Sequence, residues 1–493
     1  MYITHISSEF SPFAKVGGLG DVLHGLSKQQ VLDGHKVQVI LPKYDIINLQ
    51  VFSSLEMYIQ DLWSYEDGVE YHNSVYRGMF EEIEILLIEP HHNSYYFNRG
   101  CIYGAINDAE RFLYFCRTCI QLLNTRGATP EVLHLHDWPT AAVAPLIRCL
   151  SPKLSGSIRS IVFNIHNIEH QGKIHPKHLS RIGLNGAHFL TKDRMQDPIH
   201  LDLINLMKGA ITYCDQVVTV SPTYAKEILT SEYGFGLHLT MIKFKDKLHG
   251  VLNGIETTTW NPSTDPYLYA KFPSNPTFIN EIMEQKRINK EKLFKELGFH
   301  RELKGPLIVS VTRIVKQKGP ELILRAMEKT VEKGGSFVLL GNISDISLEK
   351  KFFHFKQSHE HTGNVHLNFT YSEELAHRLY AAADAIIIPS KFEPCGLTQL
   401  ISMRYGTVPI VRNTGGLKDT VTDILSSNLP PTGFVFNDAT TDAIDKTLAL
   451  VFAVYKNDQK KWQTLIQNGM NRDSSWNFPS HLYENIYLSK SVT

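Results

Sequence analysis

Short runs of apolar and β-branched residues alternate along this chain with longer stretches in which apolar positions recur every three or four residues. The short runs predict strands at 2–8, 36–41, 84–88, 132–135, 160–165 and 216–220, and again at 306–311, 336–340, 364–368, 385–389, 408–411 and 433–436. Alternation of this kind indicates an α/β protein whose parallel sheets are covered by helices on both faces. The two halves match in the number and spacing of their runs. That predicts two similar doubly wound, Rossmann-like domains rather than one large sheet.

Residues 250–280 fit neither period. They hold Asn253-Gly254, Trp260-Asn261-Pro262 and prolines at 262, 266, 273 and 276, and the domain connection is placed there. The run 281–304, with Lys286, Arg287, Lys290, Glu291, Lys292, Lys295 and Glu296, reads as a solvated amphipathic helix. With 493 residues, the chain has material for two domains that each bury a core.

Charge narrows the partners. Lys+Arg and Asp+Glu each number 50, so nothing points to nucleic acid or an anionic membrane, and any anion site has to be local. No basic segment leads into a long apolar one at the start, and no run reaches the roughly 20 apolar residues that span a bilayer. The chain therefore reads as soluble and cytoplasmic. Of six cysteines, only Cys116 and Cys119 form a C-x-x-C, and they read as buried thiols of a reducing compartment rather than as a zinc site.

Candidate chemistry gathers just after the strand runs, where open parallel sheets bind ligands. Following the first run comes Pro12-Phe13-Ala14-Lys15-Val16-Gly17-Gly18-Leu19-Gly20-Asp21, in which glycine amides, a helix start and one lysine form a cradle for phosphate. Its spacing matches neither G-x-G-x-x-G nor G-x-x-x-x-G-K-[ST]. Two further runs end in His136-Asp137-Trp138 and His166-Asn167, which makes these residues candidates. In the second half, Thr312-Arg313-Ile314-Val315-Lys316-Gln317-Lys318-Gly319 sets two cations five residues apart before Pro320, a clamp suited to a diphosphate. Glu393 opens the turn Glu393-Pro394-Cys395-Gly396-Leu397-Thr398, and Asn413-Thr414-Gly415-Gly416 makes another glycine-rich turn. Because the chain has no D-x-D pair, Lys15, Arg313 and Lys318 are expected to carry the diphosphate without a metal or other cofactor.

The segments KVGGLGDV, HDWPTA, FNIHN, TVSPTYAKEI, LNGIETTTWNP, TRIVKQKG, PSKFEPCGLTQ and NTGGLKDTV occur in this order and closely resemble the bacterial glycogen synthases and plant starch synthases, from Met1 to about residue 480. The resemblance implies a GT-B fold, two Rossmann-like domains facing across a deep interdomain cleft, and retaining transfer of glucose from ADP-glucose to the non-reducing end of an α-1,4-glucan. It implies an acceptor-side domain at 1–255, a nucleotide-sugar domain at 256–470, and a helix at 471–493 that returns to the first. By the same resemblance, Lys15 and the Gly17 and Gly18 amides meet the donor phosphates, while Arg313 and Lys318 stabilise the departing diphosphate. Asp137 sits near the acceptor and the reacting sugar, His166 touches the donor glucose, and Glu393 holds its hydroxyls with help from Cys395, Gly396, Leu397 and Thr398. Asp21, Asn253 and Gly254 also line the cleft. Residues 169–190 keep the family's Gln171-Gly172 but carry His175-Pro176 and Asn185-Gly186-Ala187-His188 where aromatic or Pro-Tyr character is usual.

Three rival readings exist. UDP-glucose as donor would use the same phosphate groups. A glycan-binding or regulatory protein on this scaffold is expected to have lost Lys15, Arg313, Lys318 or Glu393, and all four are present. A dinucleotide oxidoreductase lacks its fingerprint here.

Overall fold

The computed structural model describes residues 1–125, 129–299, 305–343, 345–359 and 363–489. The last part of the charged run, 300–304, and the end of the expected returning helix, 490–493, lie outside the described residues. Two compact units divide the chain: Met1–Gly254 with Trp476–Thr493, and Ile255–Ser475.

The strands of the first unit are β1 (Tyr2–Ile6), β2 (Lys36–Pro42), β3 (Ser54–Glu66), β4 (Val69–Phe80), β5 (Ile83–Pro90), β6 (Val132–His136), β7 (Ser160–Ile165), β8 (Lys173–Ile174), β9 (Ile204–Asn205), β10 (Gln216–Thr219) and β11 (Leu248–Gly250). Nine of them form one sheet in the order β11-β10-β7-β6-β1-β2-β5-β4-β3, and β8 pairs separately with β9. Pairing is parallel from β11 to β5 and antiparallel through β4 and β3. The β3–β4 hairpin was not expected from the sequence, yet its signal is there. Asp67 and Gly68 take φ of 53° and 81° between two alternating segments, which suits the two-residue turn favoured in hairpins. Charged residues such as Glu56, Asp61 and Arg77 interrupt the apolar alternation and hide the period.

In the second unit, β12 (Leu307–Val311), β13 (Ser336–Leu340), β14 (Val365–Asn368), β15 (Ala385–Ile388), β16 (Val408–Arg412) and β17 (Phe434–Phe436) form a parallel sheet in the order β14-β13-β12-β15-β16-β17. The chain leaves β1 for one side of its sheet and later returns to β6 on the other; it does the same at β12 and β15. Loops at such reversals diverge and leave a crevice at the strands' carboxyl ends.

Ile255, Trp260, Leu268 and Phe272, from the expected connection, are buried in the core of the second unit, so this segment is packed structure rather than a free linker. Nor is the helix Ile279–Glu296 solvated throughout. Its Lys286 is buried, and the ammonium donates to the carbonyls of Ala381 and Tyr405 and to the Thr407 hydroxyl, each at 2.9 Å. Burial pushes its pKa down to about 7. All six cysteines are free, and burial raises the Cys116 thiol to about 12. No helix of the described residues is long and apolar enough to cross a membrane.

The helix Asn477–Leu488 belongs to the first unit and buries Tyr483 and Tyr487 there. Just before it, Trp476 lies against Gly25 of the helix Gly18–Leu32, where a Cβ would stand 2.0 Å from the indole Nε1. Gly25→Ala is therefore expected to displace the indole and to lower stability by about 1–3 kcal/mol, as overpacking does. Thermal unfolding followed by tryptophan fluorescence checks this.

Candidate active site

At the reversal in the second unit, β12 runs into Thr312 and an exposed Arg313, and a single turn, Lys316–Lys318, follows. Gly319 ends that turn with φ 66° and starts the helix Pro320–Glu332. A side chain at Gly319 would meet the Pro389 carbonyl oxygen at 2.5 Å, so glycine allows the loop after β12 to lie against the loop after β15. Lys391 N donates to Gln317 O at 2.8 Å and locks the two together. As a result the Lys318 ammonium contacts Glu393 Oε2 at 2.5 Å, and the Ser390 hydroxyl donates to the same oxygen at 2.7 Å. Glu393 is buried, and the ammonium and hydroxyl compensate its desolvation. Among the described residues Arg313 forms no ion pair.

The loop after β16 closes on the same point. Gly415, at φ 44°, approaches so near that a Cβ would fall 1.9 Å from the Glu393 carbonyl oxygen, and Gly416 N donates to that oxygen at 3.0 Å. The Gln399 amide bonds the carbonyls of Cys395 and Gly396 at 3.1 and 2.8 Å, fixing the turn that leads into the helix Thr398–Arg404.

In the first unit, β1 leads into a loop closed by paired bonds between Phe10 and Ala14 at 2.6 and 2.8 Å. Sequence reasoning assigned the glycine amides here to phosphate and overlooked Glu9. That carboxylate accepts from Val16 N at 2.7 Å and Gly17 N at 2.9 Å, and its other oxygen accepts from the Tyr103 hydroxyl at 2.8 Å. The Gly17 amide is thus engaged by a protein carboxylate, and Gly18 is the first residue of the helix. Lys15 pairs with Asp21 at 2.8 Å, joining two predicted residues to each other. Glu9 stands three residues past β1, where the strand-end rule would have found it.

Across the reversal, Asp137 follows β6 with φ 55° and ψ −178°, a backbone conformation that costs a non-glycine residue about 1–3 kcal/mol. Its Oδ1 accepts from His166 N at 2.8 Å and Asn167 N at 3.4 Å, and so ties the ends of β6 and β7. Burial outweighs these bonds and raises the carboxyl to about 7. His166 is itself pushed down to about 3 by burial and stays neutral. Asn253 is buried near the end of this unit, and its side-chain oxygen has no protein partner. Within 169–190, His175 and Asn185 serve as helix N-caps, bonding Lys177 N and His188 N. A Cβ at Gly186 would lie 2.0 Å from the Pro176 carbonyl oxygen.

The structure thus brings together Lys318 with Glu393, Lys15 with Asp21, and Asp137 with His166. Asn253 and Gly254 meet none of these in the contacts described. Glu9, Tyr103 and Ser390 join the set without having been anticipated.

Comparison with known proteins gives consistent matches. A family model described as the starch synthase catalytic domain matches residues 2–243, and one for group 1 glycosyl transferases matches residues 289–472. A glycogen synthase of Protochlamydia amoebophila is 42% identical over 500 residues, covering 100% of both chains. Among solved structures, the catalytic domain of starch synthase IV from Arabidopsis thaliana, bound to ADP and acarbose, superposes with a TM-score of 0.93 at 43% identity, covering 99% of this chain and 98% of that one. A sucrose-phosphate synthase from Thermosynechococcus elongatus shares the fold, with a TM-score of 0.63 at 16% identity over 98% of each chain.

The raised carboxyl of Asp137 has a linkage consequence. Between its ordinary value of 3.8 and its folded value of about 7, the folded protein holds a proton that the unfolded chain has released, so this group's contribution to stability falls as pH rises through that window. Asp137→Asn removes the titration. Urea midpoints measured from pH 4 to pH 8 are expected to show the wild type losing stability relative to the variant as pH increases; parallel curves would contradict the assignment.

Proposed function

The chain belongs to the glycogen synthase and starch synthase family of glycosyltransferases, and on that premise we propose that it transfers glucose from ADP-glucose to the non-reducing end of an α-1,4-glucan with retention of configuration. The observation that carries the reading is Lys318 held against Glu393 at a strand-order reversal, beside the exposed Arg313. A departing nucleoside diphosphate gains negative charge as the glycosidic bond stretches, and fixed cations that meet this charge lower the barrier.

In this reading Arg313 and Lys318 bind the diphosphate, and Lys15 with the Gly18 amide serves the phosphates from the first unit, Lys15 exchanging Asp21 for them. Glu393 uses Oε2 for Lys318 and Ser390, which leaves Oε1 for glucose hydroxyls, while the Cys395, Gly396 and Leu397 amides and Thr398 border the sugar. Asp137 stands near the acceptor hydroxyl, and His166 touches the donor glucose. The acceptor attacks from the face the diphosphate leaves, with no covalent enzyme intermediate. Support for adenine over uridine comes from the relative bound to ADP and acarbose. The reading assigns the diphosphate to side-chain cations rather than to a metal, in keeping with the lack of a D-x-D pair. Six free thiols fit a cytoplasmic setting.

Initial rates with ADP-glucose and UDP-glucose at equal concentration, on a soluble α-glucan, test the donor. Faster transfer from ADP-glucose is expected, and equal or reversed rates would overturn that choice. Arg313→Ala is expected to lower kcat by about 10²-fold, the scale for losing one charge-stabilising donor, with the melting temperature unchanged because Arg313 is exposed and forms no ion pair among the described residues. Lys318→Ala should lower kcat comparably and also destabilise, since it leaves the buried Glu393 carboxylate without its cation. Adding Glu393→Gln is expected to restore the stability but not the rate.

A further inference from the structure

Behind His166 lies a row of buried side chains that the transfer reaction itself does not use. His166 Nε2 is 3.0 Å from His136 Nδ1, His136 Nε2 is 3.0 Å from His5 Nδ1, and His5 Nε2 is 2.8 Å from Gln30 Oε1. Gln30 Nε2 in turn donates to the Tyr487 hydroxyl at 3.0 Å. A second branch runs from His166 Nε2 through Asn164, 2.8 Å away, to the Tyr483 hydroxyl, which meets Asn164 Oδ1 at 3.2 Å. Both tyrosines lie on the helix Asn477–Leu488, so one helix anchors both branches. The pattern has a simple origin. β1 and β6 are in parallel register with His5 opposite His134, and His134 and His136, two residues apart, share the face of β6 that His5 occupies on β1.

We propose that the helix Asn477–Leu488, through Tyr487 and Tyr483, fixes which nitrogen of His166 carries its proton, making Gln30, His5, His136 and Asn164 positioning residues for the imidazole at the donor sugar. The inference rests on the reading that His166 touches that sugar. A neutral imidazole has one N–H and one bare nitrogen, so a chain of neutral rings in N···N contact must point its protons in one direction throughout. These rings are neutral: burial pushes His5 to about 4 and His166 to about 3, and lowers His136 as well. The direction is therefore set at the ends.

Gln30 sets it. With its amide N–H groups toward Tyr487, its oxygen receives the proton of His5 Nε2. His5 Nδ1 is then bare and accepts from His136 Nε2, and His136 Nδ1 accepts from His166 Nε2. His166 is held as the Nε2–H tautomer, and Nδ1 is left as a lone-pair acceptor for a sugar hydroxyl. The proton on Nε2 turns the Asn164 carboxamide end for end, so that its oxygen faces His166; the two ends are the same shape. An N–H shared between two acceptors is ordinary, whereas the opposite direction would aim two N–H groups at the single lone pair of Nε2.

The test uses full-length protein labelled with 15N-histidine, with His166→Asn identifying the resonance. Two-bond proton–nitrogen correlations are expected to show His166 protonated at Nε2 in the wild type, and mixed or reversed in Tyr487→Phe and Gln30→Met. In those two variants kcat/KM for the nucleotide sugar is expected to fall about tenfold, the scale of one misdirected hydrogen bond, with folding retained. A wild-type proton on Nδ1, or an Nε2–H tautomer that persists in both variants, would overturn the proposal. So would stoichiometric zinc in the purified protein, because a metal held by His5, His134 and His136, whose ring nitrogens lie within 4.8 Å of one another, would replace the proton between His5 and His136. If His166→Asn itself leaves kcat/KM unchanged, the reading of His166 at the sugar fails, while the tautomer result still decides the relay.

Discussion

Every strand of a parallel sheet ends on the same side, and where the strand order reverses the loops that follow turn away from one another. That constraint governs each unit of this molecule. It puts the Lys15–Gly18 loop and Asp137 at the ends of neighbouring strands β1 and β6, and the Arg313–Gly319 turn and Glu393 at the ends of β12 and β15. What the loops contribute is charge held in place. Carboxylates that would be expensive to bury alone are matched by nearby donors: Glu393 by Lys318 and Ser390, Glu9 by two backbone amides and a tyrosine.

Much of this could be read from the chain. The apolar runs coincide with the parallel strands of both sheets, apart from the short edge strand β11, because a strand buried on both faces must be apolar along its length, a local property. Glycine turns were equally visible, since Gly319 and Gly415 adopt backbones that other residues avoid. Contacts between residues far apart in sequence were less legible. Nothing local says that Lys318 would find Glu393. Lys286 shows the same limit: a charged residue in a charged helix read as solvated, but the ends of neighbouring helices supply carbonyls that only the folded chain brings to it. The β3–β4 hairpin failed for another reason, because the turn residues were present while charge on the strands masked their period.

The pairings also refine how the site is understood. A cation already bonded to a carboxylate is oriented before substrate arrives and has little left to lose in side-chain freedom, so Lys318 is prearranged by Glu393, whereas Arg313 is exposed and has no such carboxylate among the described residues. Asp137 combines an unfavourable backbone conformation with a carboxyl that titrates near neutrality, a combination found where rigid placement matters more than local stability.

The helix Asn477–Leu488 has a consequence for how the protein is made. It follows Ile255–Ser475 in the chain yet completes the interior of the unit that is made first, where Tyr487 caps Gln30 and His134. During synthesis that unit lacks the tyrosines Tyr483 and Tyr487 until all of Ile255–Ser475 has been made. A cut between Ser475 and Asn477 would thus remove buried side chains from the unit built by Met1–Gly254, although it falls more than two hundred residues further along the chain.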